Sequence, residues 1–338
     1  MNKLLIVVGT RPNFVKIAPL IKHLKNYKIL HTGQHYSNMM SKGFLKGLGI
    51  PEPDYNLNVG SGSHAEQTAS IMSLFEPICL KEKPDIVIVV GDVNSTLACS
   101  LVVSKIPNIK LAHIESGERS FDRTMPEEVN RVIVDHISDY LFCSTEQAVN
   151  NLLLEGISNN KIHLVGNIVI DNLVEHKKSI TTFKSHTLFT LHRPSNTDDK
   201  ETLTRILSCI NGLNTNVLFP IHPRTKKKIE QWNLNRYTTN MDVVEPFGYL
   251  EFMSLLKNAK CVITDSGGIQ VEAAYFETPC ITLRNSTEHT FTLRRGVNVL
   301  VGNDMKKLKY EFYNIRESYR INDLLWDGKV SKRINNIL

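Results

Sequence analysis

The sequence lacks any apolar run long enough to cross a membrane. No stretch of the 338 residues approaches the roughly 18–20 consecutive apolar residues that a membrane-spanning helix needs. The apolar run at residues 4–8 is too short for a secretory signal and ends in a turn, so it predicts a first buried strand. We therefore expect a globular, cytoplasmic protein that does not insert into membranes.

Cysteines are few and scattered. They are Cys79, Cys99, Cys143, Cys209, Cys261 and Cys280, and no two of them form a Cys-x-x-Cys pair. Their mostly apolar neighbours favour buried thiols in a reducing compartment over disulfide bonds. No spacing of His and Cys suits a zinc site, so we expect no metal.

Several familiar nucleotide-binding and hydrolase motifs are also missing. The chain has neither a GxxxxGK[ST] phosphate loop nor a GxSxG nucleophile turn. GSGSHA at 60–65 matches G-x-G-x-x-A, but it does not follow the first strand, and no acidic strand end comes about 20 residues later. The formal net charge of +6 fits an anionic ligand, yet without a basic face supported by aromatic residues we predict no nucleic-acid binding.

The sequence does contain short β-type runs that alternate with longer amphipathic stretches. Strands are predicted at 4–8, 28–32, 85–90, 110–114, 140–144, 161–165, 187–191, 216–221, 241–245, 261–264 and 279–283, and helices at 13–26, 65–82, 95–105 and 127–138. Near-continuous apolar strands alternating with helices indicate parallel sheets covered on both faces. Because eleven strands are more than one sheet ordinarily contains, we predict an α/β fold with two doubly wound domains.

The predicted domains are residues 1–167 and 168–318, with a helical tail at 319–338 that could pack back on the first domain. The polar, unperiodic stretch within 168–186 is interpreted as the linker. In parallel sheets, ligands bind outside the carboxyl ends of the strands, and every polar motif of this chain follows a predicted strand. We expect the two domains to face each other across a cleft lined by these loops.

The segment DSGGIQVEA at 265–273 directly follows the predicted strand CVIT. The amide groups of Gly267 and Gly268 at a helix start would bind phosphate well, with the hydroxyl of Ser266 adding a donor. Glu272 could then reach a ribose. Taken alone, the motif is better explained as an ordinary capped turn, with Asp265 or Ser266 as the cap.

Charged residues of the first half form a second group of candidates. Arg11 and Lys16 at a helix start are electrostatically unfavourable without an anion, although solvated charges on a loop explain them equally well. Asp92 and Glu115 directly follow buried strands, and paired carboxylates suit the removal and return of a proton. Glu127 is also explained by a helix that starts with Pro and carries acids in its first turn.

Among the histidines, His192 and His222 are the candidates for acid/base or phosphate-binding roles. His192 precedes an Arg, and His222 precedes Pro-Arg, each in a loop after a predicted strand. A lone histidine near a strand end is more often a hydrogen-bonded structural residue, which is how the others are interpreted.

Taken together, the motifs are more specific than any one of them. Eleven motifs occur in this order between residues 9 and 288: GTRPNFVK, TGQHYS, GDVNST, HIESGERS, MPEEVNR, GNIVID, TLHRPSN, PIHPRT, EPFGYLEF, DSGGIQVEA and LRNSTE. This order resembles the non-hydrolysing UDP-N-acetylglucosamine 2-epimerase family. The resemblance implies a GT-B fold of two Rossmann-like domains, with UDP held mainly by the second domain and the sugar facing the first.

The resemblance also implies a reaction and roles for single residues. UDP is eliminated to leave a glycal with a double bond between carbons 1 and 2, and it is added back after carbon 2 is reprotonated on the other face. The resemblance makes Asp92, Glu115 and Glu127 the acid/base carboxylates, and it leaves open which of them removes the proton from carbon 2. The other residues that it makes catalytic lie beside the departing UDP, and they are Arg11, Lys16 and His192. Those carried over as UDP-binding are Arg193, His222, Ser266, Gly267, Gly268, Glu272 for the ribose, and the backbone near Phe252 for uracil. The resemblance implies no metal and no nicotinamide cofactor. It does imply a homodimer that serves polysaccharide biosynthesis.

Departures from the family pattern leave the substrate open. The chain reads QVE for the usual QEE, STEHT for TERPE, and GERS for GLRS, which places Glu118 and Arg119 in the sugar-side loop. Some members bind a second UDP-sugar as activator through TGQH, so Gln34 and His35 are predicted on the sugar or activator side. We therefore keep as an alternative a 2-epimerase for a UDP-2-acetamido-2,6-dideoxy-L-hexose, converting UDP-N-acetyl-L-rhamnosamine to the quinovosamine epimer.

Three other classes of function are weighed against the epimerase. A GT-B glycosyltransferase shares the fold and the nucleotide sugar but needs an acceptor, and the three carboxylates would be harder to explain. A hydrolysing epimerase differs only in the fate of the glycal. A binding protein without catalysis has no need of several carboxylates facing a leaving phosphate.

Overall fold

The chain divides into two α/β units, each built on its own parallel sheet. The computed structural model describes residues 1–33, 45, 47–176, 186–315 and 325–338. The first unit comprises Met1–Glu175 together with Leu324–Leu338, and the second comprises His176–Asp323. The predicted α/β fold with two Rossmann-like, parallel-sheet domains is confirmed.

The first unit contains a seven-stranded sheet in the order β3-β2-β1-β4-β5-β6-β7. Its strands are β1 (Leu4–Val8), β2 (Tyr27–His31), β3 (Tyr55–Asn56), β4 (Ile86–Val90), β5 (Lys110–Ser116), β6 (Tyr140–Cys143) and β7 (Ile162–Leu164). Its helices are α1 (Arg11–Ile21), α2 (His64–Glu82), α3 (Asn94–Val103), α4 (Pro126–Ile137), α5 (Glu146–Leu154), α6 (Val169–Glu175) and, near the end of the chain, α14 (Val330–Ile337). Every residue of β1 and β4 is buried, as expected for strands covered by helices on both faces.

The second unit contains a six-stranded sheet in the order β10-β9-β8-β11-β12-β13. Its strands are β8 (His186–Thr190), β9 (Val217–Pro220), β10 (Met241–Val244), β11 (Ala259–Thr264), β12 (Cys280–Thr282) and β13 (Asn298–Leu300). Its helices are α7 (Pro194–Thr197), α8 (Lys200–Asn211), α9 (Pro223–Gln231), α10 (Tyr249–Lys257), α11 (Gly267–Tyr275), α12 (Thr290–Arg294) and α13 (Met305–Tyr313). The core of this unit is an apolar cluster that includes Phe189 and Phe219, whose rings lie 4.5 Å apart.

Each sheet has one position where the strand order reverses. In the first unit β1 lies between β2 and β4, and in the second unit β8 lies between β9 and β11. Such reversals leave a crevice beyond the carboxyl ends of the two central strands, because the connections on either side run to opposite faces of the sheet. Four candidate residues lie in these loops: Asp92 after β4, His192 and Arg193 after β8, and Ser266 after β11.

The end of the chain packs within the first unit. Val330 and Ile334 of α14 are fully buried, and the carboxylate of Asp171 on α6 accepts the backbone amides of Val330 (3.1 Å) and Ser331 (2.7 Å). Helix α6 occupies the start of the stretch interpreted as a linker and packs on α1, where Asn172 donates to the carbonyl of Val15. The first unit therefore extends to Glu175, beyond the predicted boundary at residue 167.

Two further sequence expectations can be compared directly. All six cysteines are free and buried, as predicted for core thiols. Within the described ranges, no helix combines the length and the apolar character needed to span a membrane.

Candidate active site

In the first unit, Asn13 joins the loops that follow β1 and β4. Its side-chain oxygen accepts the backbone amides of Gly9 and Thr10, both at 3.0 Å, and its side-chain nitrogen donates to the carbonyl of Val90 at 3.0 Å. Asn13 is 3% exposed, so these bonds are shielded from water. Asn13 lies within the motif GTRPNFVK, and the sequence alone predicts no role for it.

Lys16 and Glu115 form an ion pair across this part of the sheet. Lys16 projects from α1, Glu115 lies near the end of β5, and each side chain is 16% exposed. Gly91 makes room for the pair, because a Cβ added there would lie 3.3 Å from the Lys16 ammonium. The structure thus brings two of the predicted catalytic residues together. Arg11, at the first position of α1, is half-buried, and burial lowers its pKa.

Glu115 has a backbone conformation that is unusual for a residue with a side chain. Its φ is +75°, and the pairing of β5 with β6 is irregular between Ile114 and Ser116. Non-glycine residues with positive φ cost free energy, and they recur where a functional side chain has to be aimed. The irregularity turns Glu115 out of the regular alternation of the strand.

A buried polar network supports the loop that follows Glu115. Asp135 accepts hydrogen bonds from the backbone amide of Gly117 (3.0 Å) and contacts His113 (2.7 Å) and Arg119 (2.7 Å). His113 also lies 2.8 Å from the carbonyl of Gly91, which connects the loops after β4 and β5. Burial alone would raise the pKa of Asp135, but His113 and Arg119 outweigh it and hold that pKa below its usual value.

Asp92, at the exit of β4, is bound by an arginine that the sequence analysis did not select. Nε and Nη2 of Arg131 lie 3.0 and 2.9 Å from the same oxygen of Asp92, and Arg131 is also paired with Glu128. Glu128 is buried and accepts the backbone amides of Ser120 (2.9 Å) and Phe121 (2.8 Å). Glu128 is therefore a structural residue that orients Arg131 and fixes the loop.

Glu127 differs from its neighbour in its surroundings. It lies in the first turn of α4 and is half-buried. Among the residues that the structure describes, its carboxylate has no hydrogen-bond or ion-pair partner. Of the three predicted acid/base carboxylates, Asp92 and Glu115 are each paired with a cation and Glu127 is not.

The residues predicted on the sugar or activator side have different environments. Arg119 is 1% exposed and is bound through both terminal nitrogens to Asp135 and Glu155. Glu118 is buried and accepts a hydrogen bond from the hydroxyl of Ser144. A direct contact of either side chain with a sugar would require it to leave these partners. Gln34 and His35 lie outside the described residues.

In the second unit, helix α11 begins at the predicted phosphate-binding motif. Ser266 occupies the N-cap position, and its hydroxyl caps no backbone amide of the helix. A Cβ added at Gly267 would lie 2.4 Å from Oε1 of Glu288, so a larger residue there would have to displace the Glu288 carboxylate. At Gly268 an added Cβ would meet no described atom within 4 Å, so this side of the helix start is open. The positive end of α11 is thus accessible to an anion.

Asp265, directly before this helix, connects the loop after β11 with the loop after β8. Its fully buried carboxylate accepts the backbone amides of His192 (3.1 Å) and Arg193 (2.8 Å) and lies 2.9 Å from Nδ1 of His192. The ring of His192 is 38% exposed and lies 5.5 Å from the ring of His222. The structure therefore brings His192, Arg193 and His222 to one edge of the sheet, beside the loop that starts with Asp265.

His222 is the N-cap of α9. Its Nδ1 accepts the backbone amide of Arg224 at 3.2 Å. Because Nδ1 accepts, Nε2 carries the proton in the neutral ring and is a donor.

Two other predicted UDP-binding residues are now placed. Glu272 on α11 is buried next to Tyr249, whose pKa is raised by burial and then by the carboxylate. The backbone amide of Phe252 donates to the carbonyl of Gly248 at 2.9 Å, as part of α10. The backbone amides of the first helical turn, Tyr249 to Glu251, have no carbonyl acceptor within the helix. They are therefore better placed than the amide of Phe252 to bind the carbonyl group of a ligand.

The arrangement offers acid/base groups in one unit and an anion site in the other. No three His, Cys, Asp or Glu side chains of the described ranges converge in a way that could hold a metal ion. Carboxylates paired with Lys16 and Arg131, and an open helix N-terminus beside His192 and Arg193, suit proton transfer and the binding of a phosphorylated ligand.

Comparison with known proteins identifies the family. Residues 21–338 match the family model for UDP-N-acetylglucosamine 2-epimerase. The chain belongs to the UDP-N-acetylglucosamine 2-epimerase family. It is 45% identical to the UDP-N-acetylglucosamine 2-epimerase of Methanococcus maripaludis, and the match covers 100% of this chain and 98% of that protein. The family resemblance seen in the motifs is confirmed, as is the enzyme class, since epimerases are isomerases.

Two further relatives of this epimerase chain bear on its ligand. The crystal structure of the Methanocaldococcus jannaschii UDP-GlcNAc 2-epimerase in complex with UDP-GlcNAc and UDP has a TM-score of 0.90 and 44% identity, and 99% of each chain is covered. The UDP-2,3-diacetamido-2,3-dideoxy-D-glucuronate 2-epimerase of Pseudomonas aeruginosa is 42% identical over 89% of this chain and 88% of its own length.

Proposed function

We propose that this protein inverts carbon 2 of UDP-N-acetylglucosamine to give UDP-N-acetylmannosamine, without hydrolysing the sugar nucleotide. The observation that carries the proposal is the identity of 45% over the whole chain with a relative of that name. The similarity to the Methanocaldococcus jannaschii epimerase, which was solved with UDP-GlcNAc and UDP, supports the same substrate.

We propose that the second unit binds UDP. The diphosphate would lie at the N-terminus of α11, on the amides of Gly267 and Gly268 and the hydroxyl of Ser266, because the open position at Gly268 lets a ligand approach the positive end of the helix. His192 and Arg193 would donate to the same diphosphate. Glu272 would accept from the ribose hydroxyls, with Tyr249 limiting the orientations of its carboxylate.

The starts of α10 and α9 suggest how uracil is bound and what His222 does. The amides at the start of α10, just before Phe252, would bind a uracil carbonyl in the manner of a helix N-terminus. His222 would use the ring nitrogen that does not accept from Arg224 to donate to a phosphate oxygen.

The first unit would act on the sugar. In the proposed reaction a carboxylate takes the proton from carbon 2, the electron pair forms a double bond between carbons 1 and 2, and the bond from carbon 1 to the β-phosphate oxygen breaks. A proton returned to the opposite face of carbon 2 and attack of the β-phosphate oxygen on carbon 1 give the epimer. The three candidates for these proton transfers are Asp92, Glu115 and Glu127.

Cations would lower the barrier to departure of UDP. The leaving diphosphate gains negative charge in the transition state, so positive groups that contact it act on the rate and not only on binding. Arg11 and Lys16 are the cations of the first unit proposed for this task. Lys16 already neutralises Glu115, and a departing phosphate would compete for its ammonium.

A second substrate class is favoured by a specific observation. The Pseudomonas aeruginosa relative acts, by its name, on a UDP-2,3-diacetamido-2,3-dideoxy-D-glucuronate, and it is 42% identical to this chain. Groups at carbons 3 and 6 of the sugar therefore differ among close relatives. The 6-deoxy-L-hexose substrate considered from the sequence stays a prediction for the same reaction.

The reaction can be tested by proton NMR of the purified protein in deuterated water. Three substrates would be supplied one at a time: UDP-N-acetylglucosamine, UDP-2,3-diacetamido-2,3-dideoxy-D-glucuronate and a UDP-6-deoxy-N-acetylhexosamine. We expect deuterium at carbon 2 and the appearance of the epimer, fastest with UDP-N-acetylglucosamine. Accumulation of free sugar and UDP would instead establish a hydrolysing epimerase. If all three sugars stayed intact and unlabelled, the proposal would fail and a transferase would have to be considered.

A further inference from the structure

Asp265 is held more tightly than a turn residue requires. Its carboxylate is fully buried and accepts from the backbone amides of His192 and Arg193 and from the side-chain nitrogen of Asn196 (3.1 Å), and it also contacts Nδ1 of His192. From the sequence alone, Asp265 is expected only as a cap for the next helix. In the structure it binds the loop after β8, 72 to 73 residues away in sequence.

This environment keeps Asp265 ionised. Burial by itself would raise the pKa of the carboxyl group, but His192 and the backbone amides of His192 and Arg193 outweigh burial, and the pKa is lowered. An ionised carboxylate can only accept hydrogen bonds. The ring nitrogen that faces it, Nδ1 of His192, therefore has to carry a proton.

We propose that Asp265 is a positioning residue that fixes the tautomer and the orientation of His192. With the proton on Nδ1, Nε2 of the ring faces the ligand, and a proton that it takes up from solvent lets it donate to a phosphate oxygen. The buried negative charge behind the ring also stabilises the positive charge that the ring takes up. The inference rests on the proposed function, because it assigns His192 to the departing UDP.

The geometry argues for a role beyond holding the loop after β8. Holding that loop needs only an acceptor for the backbone amides of His192 and Arg193, and the side-chain oxygen of Asn could provide it. The contact with Nδ1 is different, because the amide of an Asn would present either a donor or an acceptor to the ring. An Asn that turned its NH₂ group toward Nδ1 would place the ring proton on Nε2, and it would lack the negative charge that stabilises a ring protonated on both nitrogens.

The test is Asp265→Asn, compared with wild type and with Asp304→Asn. Asp304 is a suitable control because its carboxylate also accepts two backbone amides, those of Lys306 and Lys307, at the start of α13. We expect kcat for epimerisation to fall at least about 100-fold in Asp265→Asn, the scale of losing one acid/base group, with KM changed much less. Asp304→Asn should keep the wild-type kcat. An unchanged kcat in a folded Asp265→Asn would overturn the proposal.

A second measurement does not depend on activity. Long-range ¹H–¹⁵N NMR of protein with labelled histidine, assigned with His192→Gln, should show the His192 proton on Nδ1 in wild type and on Nε2 in Asp265→Asn. A wild-type ring protonated on Nε2 alone would overturn the proposal even if the variant failed to fold. The double variant should be no slower than His192→Gln, because the two residues act as one unit.

The two proposals can fail separately. Wild-type protein that leaves every sugar nucleotide unlabelled, while its His192 carries the proton on Nδ1, would overturn the proposed function and support the fixed tautomer. Active wild-type protein with the opposite tautomer would support the function and overturn the role of Asp265.

Discussion

The guanidinium group of Arg131 binds one carboxylate oxygen of Asp92 through two nitrogens, at 2.9 and 3.0 Å. The Arg131 side chain is 3% exposed and the Asp92 side chain 29%, so the pair lies at the boundary between the interior and the strand-end crevice. The second carboxylate oxygen of Asp92 is not engaged by Arg131. Asp92 is thus fixed in direction while it keeps an oxygen for a proton or a sugar hydroxyl.

The first prediction is that Asp92→Asn loses turnover and keeps stability. The amide oxygen can still accept from Arg131, and the buried pair between Arg131 and Glu128 is untouched, so the fold has little to lose. The amide cannot take up a proton as a carboxylate does, and we expect kcat to fall by about 10²-fold or more. Steady-state kinetics and urea unfolding on the same preparation check this. A large drop in the urea midpoint would show that the role of Asp92 is mainly structural.

The second prediction concerns Arg131→Met, which should reduce both stability and turnover. Removing the guanidinium leaves Glu128 buried with an uncompensated charge, and breaking one partner of a buried pair costs roughly 3–5 kcal/mol. Arg131→Lys should be intermediate, because Lys keeps the charge and loses the two-nitrogen contact. Urea unfolding measures the difference. Stability equal to wild type in Arg131→Met would mean that Glu128 is neutral or reaches water in the folded protein.

The third prediction uses Gly117, which follows the catalytic candidate Glu115 by two residues. Its φ is +76°, and a Cβ would lie 2.3 Å from the carbonyl oxygen of Ala148. Gly156 has a similar φ of +82°, but a Cβ there would meet no described atom within 4 Å. Gly156→Ala should therefore lower the free energy of unfolding only by the cost of holding alanine at a positive φ, about 1–2 kcal/mol.

Gly117→Ala should cost distinctly more and should also reduce kcat, because a displaced Gly117 loses its bond to Asp135 and turns Glu115. Thermal unfolding and kinetics of the two variants make the comparison. If the two substitutions lowered the free energy of unfolding equally, the loop around Gly117 would be able to move away from Ala148 at little cost. The loop would then not fix the orientation of Glu115.

The fold could be predicted from the sequence because its central strands are apolar on both faces. LLIVV and DIVIVV appear in the structure as β1 and β4, within one residue of the predicted bounds, and the four predicted helices of the first half are present. Strands β3 and β13 were not predicted. The two residues of β3 are too few to show a pattern. The helix α6 was missed because its apolar residues pack on α1, which no local pattern reveals.

The residues of the candidate site could be predicted, but their partners could not. Position after a buried strand identified Asp92, Glu115 and His192, because parallel strands end at one edge of a sheet. Their partners Arg131, Lys16 and Asp265 are 39, 99 and 73 residues away. Which charged group faces which depends on tertiary packing. For the same reason the sequence did not reveal that Arg119, which its motif predicts near the sugar, is buried and paired with Asp135.

The fourth prediction is a pH dependence of stability centred on Glu82. Tyr55, Lys28 and Lys3 donate to this carboxylate, in decreasing order of effect, and lower its pKa from 4.5 to about 2. A carboxyl group with a depressed folded-state pKa stabilises the protein fully above its unfolded value. The contribution is then lost as the pH falls from about 4.5 toward 2.

Glu82→Gln should accordingly show a flatter loss of stability between pH 6 and pH 3.5 than wild type. Glu76→Gln is the matched control, because Glu76 is an exposed residue of the same helix. Urea midpoints at several pH values provide the measurement. Parallel curves for wild type and Glu82→Gln would show that the cluster is screened by solvent.

The fifth prediction concerns how the end of the chain is held to the first unit. Asp171 is 6% exposed and caps α14 through the amides of Val330 and Ser331, while Val330 and Ile334 fill apolar space beneath. Asp171→Ala should lower the free energy of unfolding by about 1 kcal/mol, the usual cost of losing a helix cap, and should speed amide exchange within Val330–Ile337. Asp171→Asn keeps an acceptor and should behave nearly as wild type. Because a cap acts locally, faster exchange throughout β1 and β4 in Asp171→Ala would contradict this account and would mean that α14 is part of the cooperative core of the unit.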